Sequence, residues 1–196
     1  MRGRLILVVG PSGAGKDTLI QGARRLLRAR AEIQFPRRMI TRPPEPEGEN
    51  HIELSEADYE AAVAASRFCL HWRAHGLGYG LPGEVEATLA AGRHVVANVS
   101  RGIVAQACQR MAPVSVVLVE AAPELLARRL AGRGREDARQ QRQRLARAAA
   151  PLPEAAEVTR FVNAAAMDEE IARFAALLTQ LAAGSDPLRQ NQPIGV

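Results

Sequence analysis

Five consecutive apolar residues, Leu5 to Val9, run straight into Gly10-Pro-Ser-Gly-Ala-Gly-Lys16-Asp17-Thr18. A segment that is apolar at every position has no face to give to water, so it belongs inside a sheet covered on both sides. The glycines that follow, at GxxxxGK spacing, let the chain turn sharply and wrap backbone N–H groups around a phosphate before a helix begins. Lys16 is the single lysine among 26 basic residues. A chain that otherwise prefers arginine keeps lysine where a compact ammonium must reach the β and γ phosphates and a planar guanidinium would fit poorly. Gly10, Pro11, Ser12, Gly13, Ala14, Gly15, Lys16, Asp17 and Thr18 are therefore the candidate triphosphate-binding residues.

The rest of the chain supports the same architecture. Apolar, β-branched segments recur at Leu5–Val9, Val95–Val99, Val114–Val119 and Val158–Val162, with helical patterns between them. That alternation predicts an α/β fold of the P-loop NTPase type, a parallel sheet flanked by helices. The first helix is expected from Lys16 to about Arg30, with Leu19, Ile20, Ala23, Leu26 and Leu27 as its buried stripe. The final helix is expected over Met167 to Ala183. Residues 1–184 read as one kinase-like domain, with a small insertion over about 35–91 to hold an acceptor. That insertion carries a proline-rich loop, a short helix capped by Ser55, and the glycine-punctuated Gly76-Leu-Gly-Tyr-Gly80. Two helices joined by Gly132-Arg133-Gly134-Arg135 read as a lid over about 132–147, and the polar residues 185–196 read as a disordered tail.

Composition removes several alternatives. No stretch approaches the 18 or more apolar residues of a membrane span. With two basic residues ahead of a short apolar run, the N-terminus reads as a strand and not a signal peptide, so the cytoplasm is the expected location. Cys69 and Cys108 are too few for a disulfide framework or a zinc site. The net charge of +5 comes with only 4% aromatic residues, so a base-stacking platform for nucleic acid is not expected. Eight arginines fall between Arg128 and Arg147, which suits small polyanionic ligands better. Homo-oligomerisation stays open.

Asp17 stands where a Ser or Thr hydroxyl ordinarily meets Mg²⁺. A carboxylate oxygen is also a hard ligand, which makes Asp17 the candidate metal residue and Thr18 a secondary one. Gly10-Pro-Ser-Gly-Ala-Gly-Lys16, Ile40-Thr-Arg42-Pro, Gly-Tyr79-Gly80, Arg129-Leu-Ala-Gly-Arg133-Gly and Val162-Asn163, in that order, resemble the guanylate kinase family of nucleoside-monophosphate kinases. The resemblance covers the chain to about residue 183. It implies that ATP with Mg²⁺ is the phosphoryl donor, that Arg42 and Tyr79 anchor the acceptor's phosphate, and that Asn163 lies near the adenine. Arg133 and Arg144 match lid positions that contact the group in transfer, with Arg129 and Arg135 beside them. Lys16, Arg133, Arg144 and Arg129 are the candidate catalytic residues.

The departures from that family redirect the reading. Glu45 stands where a second basic phosphate ligand is expected. Phe68-Cys-Leu70-His71-Trp72 replaces the stretch bearing a guanine-reading glutamate, and Val96-Ala-Asn98-Val-Ser100-Arg101 replaces an acidic strand end. Guanine bound without those carboxylates would leave buried donors unpaired, at roughly 1 to 3 kcal/mol each. A phosphorylated acceptor without a base remains. Glu49-Asn50-His51, Asp17 and Asn98-Val-Ser100-Arg101 resemble the ribose 1,5-bisphosphate phosphokinases, guanylate-kinase relatives of bacterial phosphonate breakdown. That likeness implies transfer of the γ-phosphoryl group of ATP to ribose 1,5-bisphosphate, onto its 5-phosphate, giving 5-phosphoribosyl 1-diphosphate. Arg38 and Arg101 are candidates for the second phosphate of such a substrate, and His51, His71 and His75 for sugar hydroxyls. A nucleoside-monophosphate kinase of altered base preference and a noncatalytic guanylate-kinase-like binding module are the competing readings. An intact triphosphate loop argues against the module.

Overall fold

A computed structural model describes residues 1–44, 49–121, 152–153 and 157–184. Strand β1 (Leu5–Val9) is buried at all five positions. It lies third in a parallel five-stranded sheet ordered β2 (Ile33–Gln34), β7 (His94–Asn98), β1, β8 (Val114–Glu120) and β9 (Glu157–Val162). Its alternation feeds two cores. Leu5, Leu7 and Val9 pack with Val104, Ala107 and Met111 on one face, whereas Ile6 and Val8 pack with Leu19 and Phe174 on the other.

Helix α1 (Lys16–Leu26) starts at Gly15, which is left-handed at φ 88°, and no side chain caps its first turn. A helix start without a side-chain cap is suited to receive an anion. Helix α1 ends four residues short of the Arg30 expected from the pattern. The chain turns through 27–30, with Arg30 N–H donating to Leu27 O, so that Ile33 can enter the sheet opposite His94. The last helix, here α5 (Met167–Ala182), lays Ile171, Phe174 and Leu178 against α1 and β9, with Phe174 edge-on to Phe161 at 5.2 Å.

Residues 39–82 build a second sheet, ordered β4 (Ile52–Glu53), β3 (Met39–Ile40), β6 (Leu77–Pro82) and β5 (Phe68–Ala74). Helix α2 (Glu56–Ala64) enters through Ser55, whose hydroxyl accepts the Asp58 N–H at 3.0 Å. The glycine-punctuated stretch is strand from Leu77 onward. His75 and Gly76, both at positive φ, form a two-residue hairpin turn. Gly78 and Gly80 sit within β6 because a Cβ there would come within 2.8 Å of the Tyr59 ring and 2.3 Å of the Phe68 ring. Helix α3 (Glu84–Ala90) leads from the second sheet to β7, and the 3₁₀ turn Arg101–Ile103 and α4 (Val104–Arg110) connect β7 to β8. Among the described residues no helix is long and apolar enough to cross a membrane.

Cys69 is buried on β5, and its thiol donates to Leu81 O. Burial, with the nearby Glu86 carboxylate adding to it, pushes that thiol up to about 12. At pH 8 roughly one thiol in ten thousand is then thiolate. Native protein at pH 8 is expected to leave Cys69 unmodified by iodoacetamide while the guanidinium-unfolded chain is alkylated at both cysteines, as read by mass spectrometry; native alkylation at the rate of an ordinary thiol would contradict this burial.

Candidate active site

Parallel pairing brings the C-terminal ends of β1, β7, β8 and β9 to one edge of the large sheet, where α/β proteins bind their ligands. The loop after β1 crosses that edge. Gly10, at φ 151°, passes so close to β8 that a Cβ would lie 2.2 Å from Val119 O. Lys16 Nζ donates to the carbonyls of Gly10 and Pro11, both at 2.8 Å. The loop carbonyl of Ala14 is taken from outside: Asn163 Nδ2 donates to it at 2.8 Å. Asn163 is fully buried and its own N–H donates to Glu120 O. In a trans peptide the C=O and N–H point in opposite directions. Tying Ala14 O outward to Asn163 therefore turns the Gly15 N–H toward the inside of the loop. Asn163 Oδ1 is buried without a hydrogen-bond partner among the described residues.

Asp17, half-buried in the first turn of α1, accepts a 2.7 Å hydrogen bond from Asn98 Nδ2 at the end of β7. Thr18 is exposed. Three residues beyond Asn98, Arg101 opens the 3₁₀ turn that lies against β5. Desolvation pulls its guanidinium below the ordinary arginine range, and a guanidinium stripped of water pairs more strongly with an anion.

The second sheet supplies the other half. Trp72 and Tyr79 face each other across β5 and β6 with rings stacked at 5.4 Å and 4°. Both pack on the cluster that contains Val9, Val99 and Ile103, so this face of the small sheet lies toward the loop edge. Arg38 sits 5.4 Å from the Tyr79 ring centre while its guanidinium forms a two-pronged ion pair with Glu49. Arg42 is tied into the same knot. His51, buried, places its ring nitrogens 3.0 Å from the carbonyls of Glu49 and Arg42. Thr41, beside Arg42, accepts the Gly78 N–H through its hydroxyl. The indole N–H of Trp72 is buried without a partner among the described residues.

Lys16, Asp17, Asn163 and Arg101 thus gather at the sheet edge, and Arg38, Arg42 and Tyr79 gather on the small sheet. His51 bridges backbone, His75 is exposed in the hairpin turn, and His71 lies near Phe68 on the opposite face from Trp72. Arg129 and the expected lid over 132–147 with Arg133, Arg135 and Arg144, together with Glu45 and the tail 185–196, lie outside the described residues. Sequence reading noted Asn98 as a missing acid and as part of a motif; its partnership with Asp17 depends on strand pairing and has no local signal. Glu49 likewise drew notice only as part of a motif.

The family model for guanylate kinase matches residues 2–181. The chain belongs to the guanylate kinase family. Within that family it is 55% identical over 150 residues to a ribose 1,5-bisphosphate phosphokinase of Acidiphilium cryptum, covering 76% of this chain and 80% of the relative. It is 49% identical over 178 residues to one of Methylobacterium radiotolerans, covering 91% and 98%. A guanylate kinase crystal structure from Anaplasma phagocytophilum shares the fold, with a TM-score of 0.67 at 15% identity over 92% of this chain and 87% of that one. As in other P-loop kinases, ATP and a divalent metal are the implied donor and cofactor.

Asn163→Ala removes the outward tie on Ala14. Affinity for both ATP and inorganic tripolyphosphate is expected to fall about five- to tenfold, the worth of one hydrogen bond, as read by calorimetry. If ATP binding weakens while tripolyphosphate binding holds, Asn163 acts on the base and not on the loop.

Proposed function

We propose that this protein transfers the γ-phosphoryl group of ATP to ribose 1,5-bisphosphate, giving 5-phosphoribosyl 1-diphosphate. The observation that carries the reading is the small sheet's inner face: Tyr79 packs there against Trp72, and the β5 residues on that side, Leu70 and Trp72, are buried and carry no carboxylate to read a base. The accepting group is the 1-phosphate. This corrects the expectation of the 5-phosphate, because a 1-diphosphate product has its new P–O–P link at C1 and its 5-phosphate unchanged. Kinship with the ribose 1,5-bisphosphate phosphokinases supports the same substrate, and with it a place in phosphonate breakdown.

An acceptor phosphate oxygen is already anionic, so no side chain has to remove a proton, and the work is alignment and charge neutralisation. Gly10 to Gly15 hold the triphosphate through backbone N–H groups. Lys16 leaves the loop carbonyls to bridge the β and γ phosphates. Asp17 is the residue suited to Mg²⁺: one hard carboxylate beside substrate phosphates is what this ion takes, and the Asn98 hydrogen bond fixes one of its oxygens and orients the other. When bound, the ion would neutralise charge on the transferred group. Arg42 and Tyr79 seat one acceptor phosphate and Arg101 meets the second; Arg38, expected to share that second phosphate, is corrected to a supporting role, because its guanidinium is engaged by Glu49 and packs on the Tyr79 ring. Arg133, Arg144 and Arg129, of the proposed lid and the residues just before it, neutralise the group in flight. The protein is expected to work in the cytoplasm on this small substrate, without nucleic acid or membrane.

The test is ³¹P NMR of the purified protein with ATP, Mg²⁺ and either ribose 1,5-bisphosphate or GMP. The sugar should develop two mutually coupled diphosphate signals beside an unshifted 5-phosphate. Brisk conversion of GMP with an inert sugar would sink the proposal.

A further inference from the structure

Asp17 and Asn98 are 81 positions apart in the chain, yet they are joined by a 2.7 Å hydrogen bond. The parallel pairing of β1 and β7, with Val8 opposite Asn98, delivers the end of β7 beside the loop that ends in Lys16. In P-loop nucleoside triphosphatases the metal is held by a hydroxyl residue directly after the loop lysine and by a carboxylate at the end of a nearby strand. Here each of the two places holds a different chemistry: the helix position carries the carboxylate and the strand end carries a neutral amide.

We propose that Asp17 and Asn98 form an exchanged pair, in which the metal-facing carboxylate has moved from the strand end to the helix and Asn98 is the positioning residue that holds it. The proposal rests on the reading of Asp17 as the residue facing Mg²⁺. Three things survive the exchange. The pair keeps a single negative charge. It keeps one hydrogen bond with its direction reversed, since Asn98 donates to the helix residue where a hydroxyl at 17 would donate to the strand. It also keeps one carboxylate oxygen outside that bond, because Asp17 accepts only the Asn98 amide among the described residues. Each half-exchange breaks the set. A hydroxyl facing an amide has no charge to offer a cation, and two carboxylates at hydrogen-bond distance repel each other unless an ion lies between them. A role for Asn98 in merely holding the start of α1 would make its substitution costly whatever stands at 17.

Wild type, Asp17→Ser, Asn98→Asp and the double exchange Asp17→Ser/Asn98→Asp are compared for Mn²⁺ affinity in the presence of the β,γ-imido analogue of ATP, read by electron paramagnetic resonance, together with metal-free melting. Asp17→Ser should weaken Mn²⁺ at least about tenfold, and the double exchange should return to within about threefold of wild type. Asn98→Asp should melt lower without metal and recover when Mn²⁺ is added. Asn98→Ala, which leaves the carboxylate but removes its donor, should weaken Mn²⁺ about tenfold and gives a second reading should the double exchange melt poorly. A double exchange that folds and binds Mn²⁺ as weakly as Asp17→Ser overturns the exchange while leaving Asp17 at the metal; so does Asn98→Ala with unchanged Mn²⁺ affinity. Wild-type Mn²⁺ affinity in Asp17→Ser overturns the metal reading itself, and the exchange with it. No acceptor sugar enters the experiment, so none of these outcomes depends on which acceptor is used.

Discussion

A phosphate-binding loop works only if its peptide N–H groups point inward, and each one turned inward sends a carbonyl in another direction that must find a donor. Much of this molecule is arranged around that requirement. Lys16 itself takes the carbonyls of Gly10 and Pro11, and Asn163, at the far edge of the sheet, takes that of Ala14. Lys16 reaches its carbonyls from within the loop, whereas Asn163 reaches Ala14 only because β8 and then β9 lie beside a central β1. The uninterrupted apolar character of Leu5–Val9 is what permits that central position, since every side chain of the strand is covered. Sheet order and loop chemistry are thus one constraint seen at two scales.

The acceptor half follows a different logic. On the small sheet Tyr79, the proposed phosphate anchor, packs against Trp72 and the Arg38 guanidinium, and Arg38 is neutralised by Glu49. A buried guanidinium without a partner would carry a large desolvation cost, so the ion pair is what allows it to sit against an aromatic ring. His51 joins the Glu49 and Arg42 carbonyls and fixes the backbone of the motif. The result is a rigid, apolar-backed surface with arginines at its margin. It suits a ligand whose recognisable features are phosphates.

Much of this was legible in the sequence, for physical reasons. Strand β1 is visible because a fully buried parallel strand is apolar throughout, β7 and β8 through their buried apolar centres, and the edge strand β9 through its β-branched and aromatic residues; the loop is visible because its glycines and lysine have few substitutes. Helix α1 is overestimated because Leu27 to Arg30 has helical composition, while the need to place Ile33 opposite His94 ends the helix earlier. Gly76 to Gly80 misleads in the other direction: its glycines look like punctuation, but two of them are strand residues over which the Tyr59 and Phe68 rings lie. The Asp17–Asn98 and Asn163–Ala14 pairings, separated by 81 and 149 positions, have no local pattern and appear only once the strands are in register.

The central claim is that the acceptor site recognises two phosphates on a sugar and no base. Calorimetric titration of the protein, saturated with the β,γ-imido analogue of ATP and Mg²⁺, with ribose 1,5-bisphosphate, ribose 5-phosphate and GMP tests it most directly. The account predicts that the bisphosphate binds about ten- to a hundredfold more tightly than ribose 5-phosphate, the worth of one charge-assisted contact, and that GMP gains nothing over ribose 5-phosphate. GMP binding most tightly of the three would contradict it.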